Sequence, residues 1–423
     1  MRAVTGFFIA LTLLLNQALA NEGSIAFVGA TLIDGTEAAP LSDGVLVISD
    51  GRVRSVGPRD DVAIPSGARI VDVSGKTIIP GLINAHGHVG DTQGLSGGQY
   101  NRDNLLRQLR LYARYGVTTV ASLGGDEEAG FALRNEQFDP ALTRARLYVA
   151  GSVVTGDSEA AIRREVNRNA DMGADFIKVR VDDNLGRTPK LPRPLFDALV
   201  DQARLRRLPV AVHLFYLDDA RYVLDAGADL IAHSVRDVPV DSAFIEQIRS
   251  QGVCYIPTLT REVSTFIYES EPDFFSDPFF RAEVEPAIIE ELLSPERQAA
   301  MRNSPMAQGY KEGLEVAMAN VGALNQAGVP IAMGTDSGPP ARFQGYFEHL
   351  EMDMMVESGM SPLDAIRSAT GVAADCLGLA DLGTLEPGNW GDLVILGANP
   401  AADIANTKTV ESVWIAGNRV PDS

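Results

Sequence analysis

Four of the five histidines in this 423-residue chain lie at or next to the end of a short apolar run. His86 and His88 close the segment GLINAHGH, whereas His213 and His233 end the segments AVH and DLIAH. Residues two apart on a strand project to the same face, so His86 and His88 can bind one ion together. Each histidine alone could instead be a core residue bonded to a backbone carbonyl. The four together favour a metal site.

Asp336 and Lys178 add a carboxylate and an amine to this set. Asp336 ends the run VPIAMGTD, where it could bind a metal and accept a proton from water, or cap the next helix. Lys178 lies inside the apolar segment GADFIKV. Burial lowers the pKa of a lysine, and a neutral amine can add carbon dioxide to become a carbamate that bridges two cations. We favour this bridging role over an ion pair with Asp182 or Asp183, or a side chain that points outward.

Candidate substrate-binding residues follow the same apolar runs. Arg180, Arg236 and Arg261 come just after the fourth, sixth and seventh runs, so one of them could hold a substrate carboxylate by a bidentate pair. Each could equally be a solvated surface cation. After His213 the chain reads HLFYLDD, and its bulky apolar residues, with Tyr216 among them, are expected to narrow the pocket.

The elements that must position these residues form a repeat in the middle of the chain. Helical patterns that end in glycine are followed by short apolar strands, as in YGVTTVASL, MGADFIKVRV, AGADLIAHS, QGVCYIPTL and AGVPIAMGTD. IIPGLINAHGH, RLYVAGSVV and LPVAVHLF bring the number of strands to eight. The pattern predicts an α/β fold, a (β/α)8 TIM-type barrel over residues 79–381, whose active site lies at the carboxyl ends of the strands. A doubly wound sheet is the alternative, although no Gly-rich nucleotide loop follows any strand.

Both ends of the chain have a different texture. Residues 21–78 and 382–423 contain short alternating strands with Gly, Asp and Ser breaks, so we predict that they pair as one small discontinuous β-sandwich domain. A long connection at about 260–325, with the sequence YESEPDFFSDPFF, is either a lid over the active site or a packing excursion. The fifth histidine, His349, is expected on a helix surface or behind a metal ligand.

Composition limits the partners and the compartment. A net charge of −20 argues against nucleic acid and anionic lipid as partners. Residues 1–20, MRAVTGFFIALTLLLNQALA, are typical of a signal peptide cleaved after Ala20, so the mature protein is expected to be periplasmic or secreted and free of the membrane. Cys254 and Cys376 show no metal-type spacing and are expected to be free, buried thiols. A homo-oligomer is compatible with the sequence.

The order of these motifs resembles the amidohydrolase superfamily, and within it the group of imidazolonepropionase and the secreted metal-dependent Xaa-Pro dipeptidases. The resemblance covers nearly the whole mature chain, from PGLINAHGH through GTD to LGTLEPGNWGDLVIL. It implies that His86 and His88 bind the more buried metal together with Asp336. It also implies that a carboxylated Lys178 bridges to a second metal, which is bound by His213 and His233. Two zinc ions suit these ligands, although manganese, cobalt or iron would also fit.

Three functions follow as hypotheses. The first is metal-dependent hydrolysis of an amide or peptide bond in a small carboxylate-bearing molecule, a dipeptide or an N-acyl amino acid. Its catalytic residues would be Asp336, as general base, and His233. The second is hydrolysis of a lactone, ester or phosphoester at the same site. The third is a periplasmic metal-bearing binding protein without turnover.

Overall fold

The structure is a computed structural model that describes residues 23–422. The predicted signal peptide and its cleavage point therefore lie outside the described residues. The strands are β1 Ile25–Leu32, β2 Leu41–Ser49, β3 Arg52–Pro58, β4 Arg69–Asp72, β5 Thr77–Pro80, β6 Leu82–Gly87, β7 Val117–Ser122, β8 Arg146–Val149, β9 Ile177–Arg180, β10 Val210–His213, β11 Leu230–Ala232, β12 Cys254–Ile256, β13 Leu393–Leu396, β14 Val410–Ile415 and β15 Asn418–Arg419.

Helices alternate with the central strands and then accumulate after β12. The α-helices are α1 Arg102–Arg114, α2 Glu128–Asn135, α3 Glu159–Met172, α4 Arg193–Arg206, α5 Leu217–Ala226, α6 Ser242–Gln251, α7 Leu259–Val263, α8 Pro278–Arg281, α9 Pro286–Leu292, α10 Pro295–Arg302, α11 Pro305–Gln326, α12 Tyr346–Glu357, α13 Pro362–Ser368 and α14 Gly371–Leu377. Short 3-10 helices span Ile267–Glu269, Asp273–Ser276 and Ile404–Lys408. Within residues 23–422, no helix combines the length and the apolar character that a membrane crossing requires.

The two ends of the chain pair in one mixed sheet, as the sequence pattern predicts. The strand order is β15-β14-β13-β5-β1-β2-β3, and β4 also pairs with β1. The junction between the two ends is the antiparallel pair of β13 and β5, in which Val394 lies opposite Ile79. On one face Phe27 packs edge-on against Trp414, with ring centroids 5.0 Å apart. Apolar burial between the ends therefore holds the sheet together.

The central strands give a TIM-barrel-like α/β fold. Parallel strands β6-β7-β8 form one sheet and β9-β10-β11-β12 form another. A bridge between Val154 and Val179 connects them on one side. These strands are buried throughout apart from the last residue of β9, as their continuous apolar sequence predicts. Their carboxyl ends lie on one side, where the histidines were expected.

The eighth predicted strand is irregular. Residues 330–337 form only bridges, Ile331 with Tyr255 and Ser337 with Gly87. The backbone N–H groups of Thr335 and Asp336 both donate to the carbonyl of His86, at 3.0 and 2.6 Å. Two donors to one acceptor interrupt the ladder, and Asp336 takes a φ of 55°. The departure from a regular strand therefore falls on a predicted metal ligand.

The long connection after β12 is folded. Apart from 3-10 turns and short joints it consists of α7 to α11, and its aromatic stretch packs into the protein. Phe274, Phe275 and Phe280 are buried together with Tyr346 and Phe347 of α12. The segment that was predicted to be either a lid or a packing excursion thus contributes an aromatic cluster against α12.

Two expectations about single residues are wrong. Cys254 and Cys376 form a disulfide between β12 and α14, rather than two free thiols. Their Cα atoms are 5.8 Å apart although 122 residues separate them, so only the folded chain reveals the pair. His349 is fully buried and not on a helix surface. Its Nδ1 lies 2.9 Å from Thr407 Oγ1 and its Nε2 lies 2.8 Å from the carbonyl of Tyr115.

Candidate metal centre

Three predicted ligands converge where β6 ends beside residues 330–337. Asp336 Oδ1 lies 2.8 Å from Nε2 of His88 and 3.8 Å from Nε2 of His86. Ligand atoms of the three residues lie within 4.8 Å of one another. The His86 side chain is 1% exposed and that of His88 is 28% exposed, so the group opens to solvent on the His88 side.

The chemistry of this group fits a divalent cation. Burial, and next the nearby Lys178, hold the pKa of His86 well below its usual range, so its ring is neutral and has a lone pair. His86 Nδ1 is buried and has no hydrogen-bond partner in the part of the chain that is described. The His88 ring is oriented by a 2.9 Å contact between Nδ1 and the carbonyl of Gly124, which directs Nε2 at Asp336. Two imidazole nitrogens and one carboxylate suit zinc and similar metals.

Asp336 is held as an anion. Burial opposes its charge, but the Arg342 guanidinium and the hydrogen bond from His88 outweigh burial and keep the pKa of Asp336 well below its usual range. Arg342 Nη1 donates to Oδ2 of Asp336 at 2.6 Å. The second carboxylate oxygen, Oδ1, faces the histidines.

Lys178 connects these three residues to the other predicted ligands. It is buried on β9, and its Nζ lies 3.2 Å from His86 Nε2. Its Nζ forms no ion pair within residues 23–422, so the alternative of a pair with Asp182 or Asp183 is not seen. Burial lowers the pKa of Lys178 to about 7, with only a partial opposing effect from Asp336.

His213 and His233 complete the ring of side chains. The ring centroid of His233 lies 4.6 Å from that of His86 and 4.1 Å from that of His213. His213 Nε2 contacts Asp182 Oδ2 at 3.0 Å, and His233 Nδ1 contacts Thr258 Oγ1 at 2.6 Å. These contacts leave Nδ1 of His213 and Nε2 of His233 as the atoms able to bind a metal. Burial lowers the pKa of His213 to about 3, so this ring is neutral near pH 7.

The candidate substrate residues lie in different environments. Arg236 is 1% exposed, its Nη1 donates to the carbonyls of Leu214 and Ser234, and its Nε lies 3.2 Å from Glu262. Arg180 has a 42% exposed side chain 3.8 Å from Asp182. Neither arginine contacts the metal ligands.

Tyr216 is also engaged elsewhere. Its hydroxyl donates to Asp183 at 2.8 Å, and the Lys190 ammonium lies over its ring. Burial and the bond to Asp183 raise the pKa of this hydroxyl above its usual range. Tyr216 therefore belongs to a polar cluster beside β9 and β10.

Arg261 differs, because it faces the centre. Its guanidinium is paired with Glu262 and Tyr310, while Nε lies 3.9 Å from Asp336 Oδ2 and has no hydrogen-bond partner among the described residues. Arg342 approaches the same oxygen of Asp336 from the other side. Arg342 was not predictable from the sequence, because the loop GPPARF has no periodicity that would show it folding back onto Asp336.

Backbone strain is concentrated at the same edge. Thr258 and Asp336 adopt φ values of 51° and 55°, in the left-handed region that disfavours side chains. Thr258 contacts His233, and Asp336 is a predicted ligand. Strained residues that persist at one place in a fold are typical of a functional site.

The chain is similar to several hydrolases over most of its length. Residues 77–420 match the amidohydrolase family. Imidazolonepropionase of Streptomyces griseus subsp. griseus is 23% identical over 95% of this chain and 99% of its own length, and ochratoxinase of Aspergillus niger is 24% identical over 95% and 87%. The crystal structure of a Xaa-Pro dipeptidase with bound methionine in the active site superimposes with a TM-score of 0.76 at 21% identity, over 94% of this chain and 99% of that one.

Proposed function

The chain belongs to the amidohydrolase family and is a hydrolase of C–N bonds, and we propose that it cleaves the amide or peptide bond of a small carboxylate-bearing molecule. A dipeptide or an N-acyl amino acid has this chemistry. The observation that carries the proposal is the convergence of His86, His88 and Asp336 beside the cations Arg261 and Arg342.

Two divalent cations, zinc in the first instance, are the cofactor of this proposal. His86, His88 and Asp336 would hold one, and His213 and His233 would hold the other. The neutral imidazoles and the mixed nitrogen and oxygen ligands support it. Bound there, the ions would lower the pKa of a water molecule and polarise the substrate carbonyl.

Lys178 would bridge the two halves as a carbamate. Its amine is buried beside His86, and a pKa of about 7 leaves a large neutral fraction at physiological pH. The neutral amine attacks carbon dioxide, forms the N–C bond and releases one proton, which gives an anionic ligand. A protonated lysine at this position would repel the cations.

Asp336 would act as the general base. Its ionised carboxylate accepts a proton from the attacking water and passes it to the leaving nitrogen. Arg342 keeps Oδ2 in place while Oδ1 faces the ligand histidines. His233, fixed through Thr258, would be the second catalytic residue by holding the cation that polarises the substrate carbonyl.

Arg261 would bind the substrate carboxylate. Of the three predicted arginines, it is the one that approaches Asp336. Its Nε–H group has no hydrogen-bond acceptor among the described residues. A guanidinium in a buried site binds a carboxylate strongly and with a defined orientation. The scissile bond would then lie between Arg261 and the metal ligands.

The finer architecture and the compartment are part of the same proposal. We take the central strands as a closed (β/α)8 barrel and the terminal sheet as a β-sandwich. Removal of residues 1–20 would release a periplasmic or secreted protein, and the Cys254–Cys376 disulfide supports an oxidising compartment. N-terminal sequencing of the mature protein should start at residue 21; an intact Met1 would contradict export.

Metal analysis combined with a hydrolysis screen tests the function. The purified protein should contain zinc or a similar metal and should hydrolyse dipeptides or N-acyl amino acids, with loss of activity after chelation. The screen includes lactones, esters and phosphoesters as the competing substrates. Turnover of these alone, or bound metal with no turnover of any of them, would overturn the proposal.

A further inference from the structure

Helix α12 buries two carboxylates that point toward the metal centre. Glu348 and Glu351 are both fully buried, and their spacing of three places them on one side of the helix. A buried carboxylate is costly unless hydrogen bonds satisfy it. Burial raises the pKa of both residues, and neither forms an ion pair in the described structure. Hydrogen bonds are therefore the contacts that offset this cost.

Glu348 connects the two segments that carry three predicted ligands. Its Oε1 accepts hydrogen bonds from Asn84 Nδ2 at 2.6 Å, Thr335 Oγ1 at 2.8 Å and Ser337 Oγ at 2.7 Å. Thr335 and Ser337 flank the aspartate ligand. Asn84 in turn accepts the backbone N–H of His86 at 2.9 Å. One carboxylate oxygen thus joins β6 to residues 335–337.

Glu351 holds the opposite side of the centre. Its Oε1 accepts the backbone N–H of Leu259 at 2.7 Å, and its Oε2 accepts the N–H and the hydroxyl of Thr260, both at 2.7 Å. The residue before them, Thr258, is strained and contacts Nδ1 of His233. Glu351 therefore fixes the turn that orients His233.

The other side of α12 is anchored independently. His349 bonds Thr407, in the 3-10 helix before β14, and the carbonyl of Tyr115, between α1 and β7. Asp353 pairs with Lys408 at 2.6 Å. These contacts fix the rotation of the helix, so Glu348 and Glu351 have defined positions from which to hold the two ligand segments.

We propose that Glu348 and Glu351 are positioning residues that set the separation between the two halves of the metal centre. Glu348 acts through the backbone around His86 and Asp336, and Glu351 acts through Thr258 on His233. The proposal rests on the proposed function, since it concerns the same ligands. It adds that metal affinity is controlled from α12, which does not itself contact the metal.

The two residues should respond differently to replacement by glutamine. All three bonds to Glu348 use Oε1, and Oε2 has no partner within the described chain, so the amide of Glu348→Gln can keep every bond. Both oxygens of Glu351 accept a backbone N–H, so Glu351→Gln must place its NH2 against one of these donors. If only the volume or the net charge of the two side chains mattered, Glu348→Gln and Glu351→Gln would have equal effects.

The experiment measures zinc affinity of the full chain by competition with a chromophoric chelator, with the folded state checked by circular dichroism. Glu351→Gln and Glu348→Ala should weaken zinc binding about 10- to 100-fold. Glu348→Gln should stay within about threefold of wild type, as should the control Asp353→Asn on the same helix. The difference in zinc binding between the two glutamine variants decides the question. The test therefore remains valid if Glu348→Ala does not fold.

The outcomes separate this inference from the proposed function. If wild type binds no zinc, the proposed function fails. If wild type binds zinc and Glu351→Gln binds it equally well, or if both glutamine variants weaken it alike, the positioning role is wrong. An equal loss in Asp353→Asn would also overturn it, because the effect would then belong to the helix as a whole.

Discussion

The two halves of the proposed metal centre are built differently. On the β6 side the ligands contact one another directly, with His88 Nε2 2.8 Å from Asp336 Oδ1. On the β10 and β11 side, each histidine is held by a residue that is not a predicted ligand: His213 by Asp182 and His233 by Thr258. The first half can bind an ion with its own side chains, whereas the second half lacks an anionic ligand unless the lysine between the halves supplies one.

The largest effect should come from the first half, through Asp336→Asn. The amide can still contribute a neutral oxygen ligand, but it cannot accept the proton from water. We expect metal to be retained and kcat to fall about 10²- to 10⁴-fold, as measured by steady-state kinetics. Near-wild-type turnover would remove Asp336 as the base, and loss of all metal would show that its charge is needed for binding.

Lys178→Ala should break the second half and spare the first. Without the carbamate, His213 and His233 have no anionic co-ligand, so the zinc content should fall from about two to about one ion per chain. Activity should fall with it. Lys178→Arg, which keeps a long cation and cannot form the carbamate, is the matched variant and should behave alike. Full metal content and full activity in both would contradict the bridging role.

Arg261→Ala should affect the substrate rather than the metal. Loss of a charged hydrogen bond should raise KM about 10- to 100-fold for substrates with a free carboxylate, with little change for their methyl esters. The exposed Arg249, which pairs with Glu246, provides a control. An equal rise in KM for esters and free acids would show that Arg261 does not read the carboxylate.

A smaller, pH-dependent effect should distinguish the halves. Burial lowers the pKa of Lys178 to about 7. The fraction of neutral amine, which is the form that reacts with carbon dioxide, therefore increases as the pH rises from about 6 to about 8. Below pH 7 most of the amine is protonated, which disfavours the carbamate. Uptake of the second zinc ion by metal-free protein in bicarbonate should therefore rise several-fold over this range. His213, with a pKa of about 3, stays neutral throughout and adds nothing to the change.

Lys178→Arg is the control for this titration. Uptake of zinc by this variant should not depend on the carbamate and should not rise between pH 6 and pH 8. Equal uptake of the second ion by wild type at pH 6 and pH 8 would argue that a ligand other than a carboxylated lysine completes the second half.

The convergence of the predicted ligands was predictable from the sequence, because it follows a rule of parallel strands. His213 and His233 end apolar runs, and the carboxyl ends of such strands meet at one edge. The pairing of the chain ends was predictable for a similar reason, since both are alternating strands. Lys178 was also predictable as a candidate, because its ammonium group lies inside an apolar run.

The rest depends on segments that return from a distance. Arg342 reaches Asp336 from an irregular loop. Glu348 and Glu351 reach the strand ends from a helix that is buried on most sides, so its sequence pattern singles out no face. The partners Cys254 and Cys376 are 122 residues apart, so their disulfide needs the fold to bring them together. The irregular eighth segment arises from two backbone donors on one carbonyl, which no side-chain pattern records.

A crystal structure of the zinc-loaded protein, grown near pH 8 in bicarbonate and analysed by anomalous scattering, would show whether each half binds an ion. We expect two zinc peaks, with Nδ1 of His213 and Nε2 of His233 at the second, and electron density for a carbamate on Lys178 between them. A single peak at His86, His88 and Asp336 beside an unmodified Lys178 would contradict it.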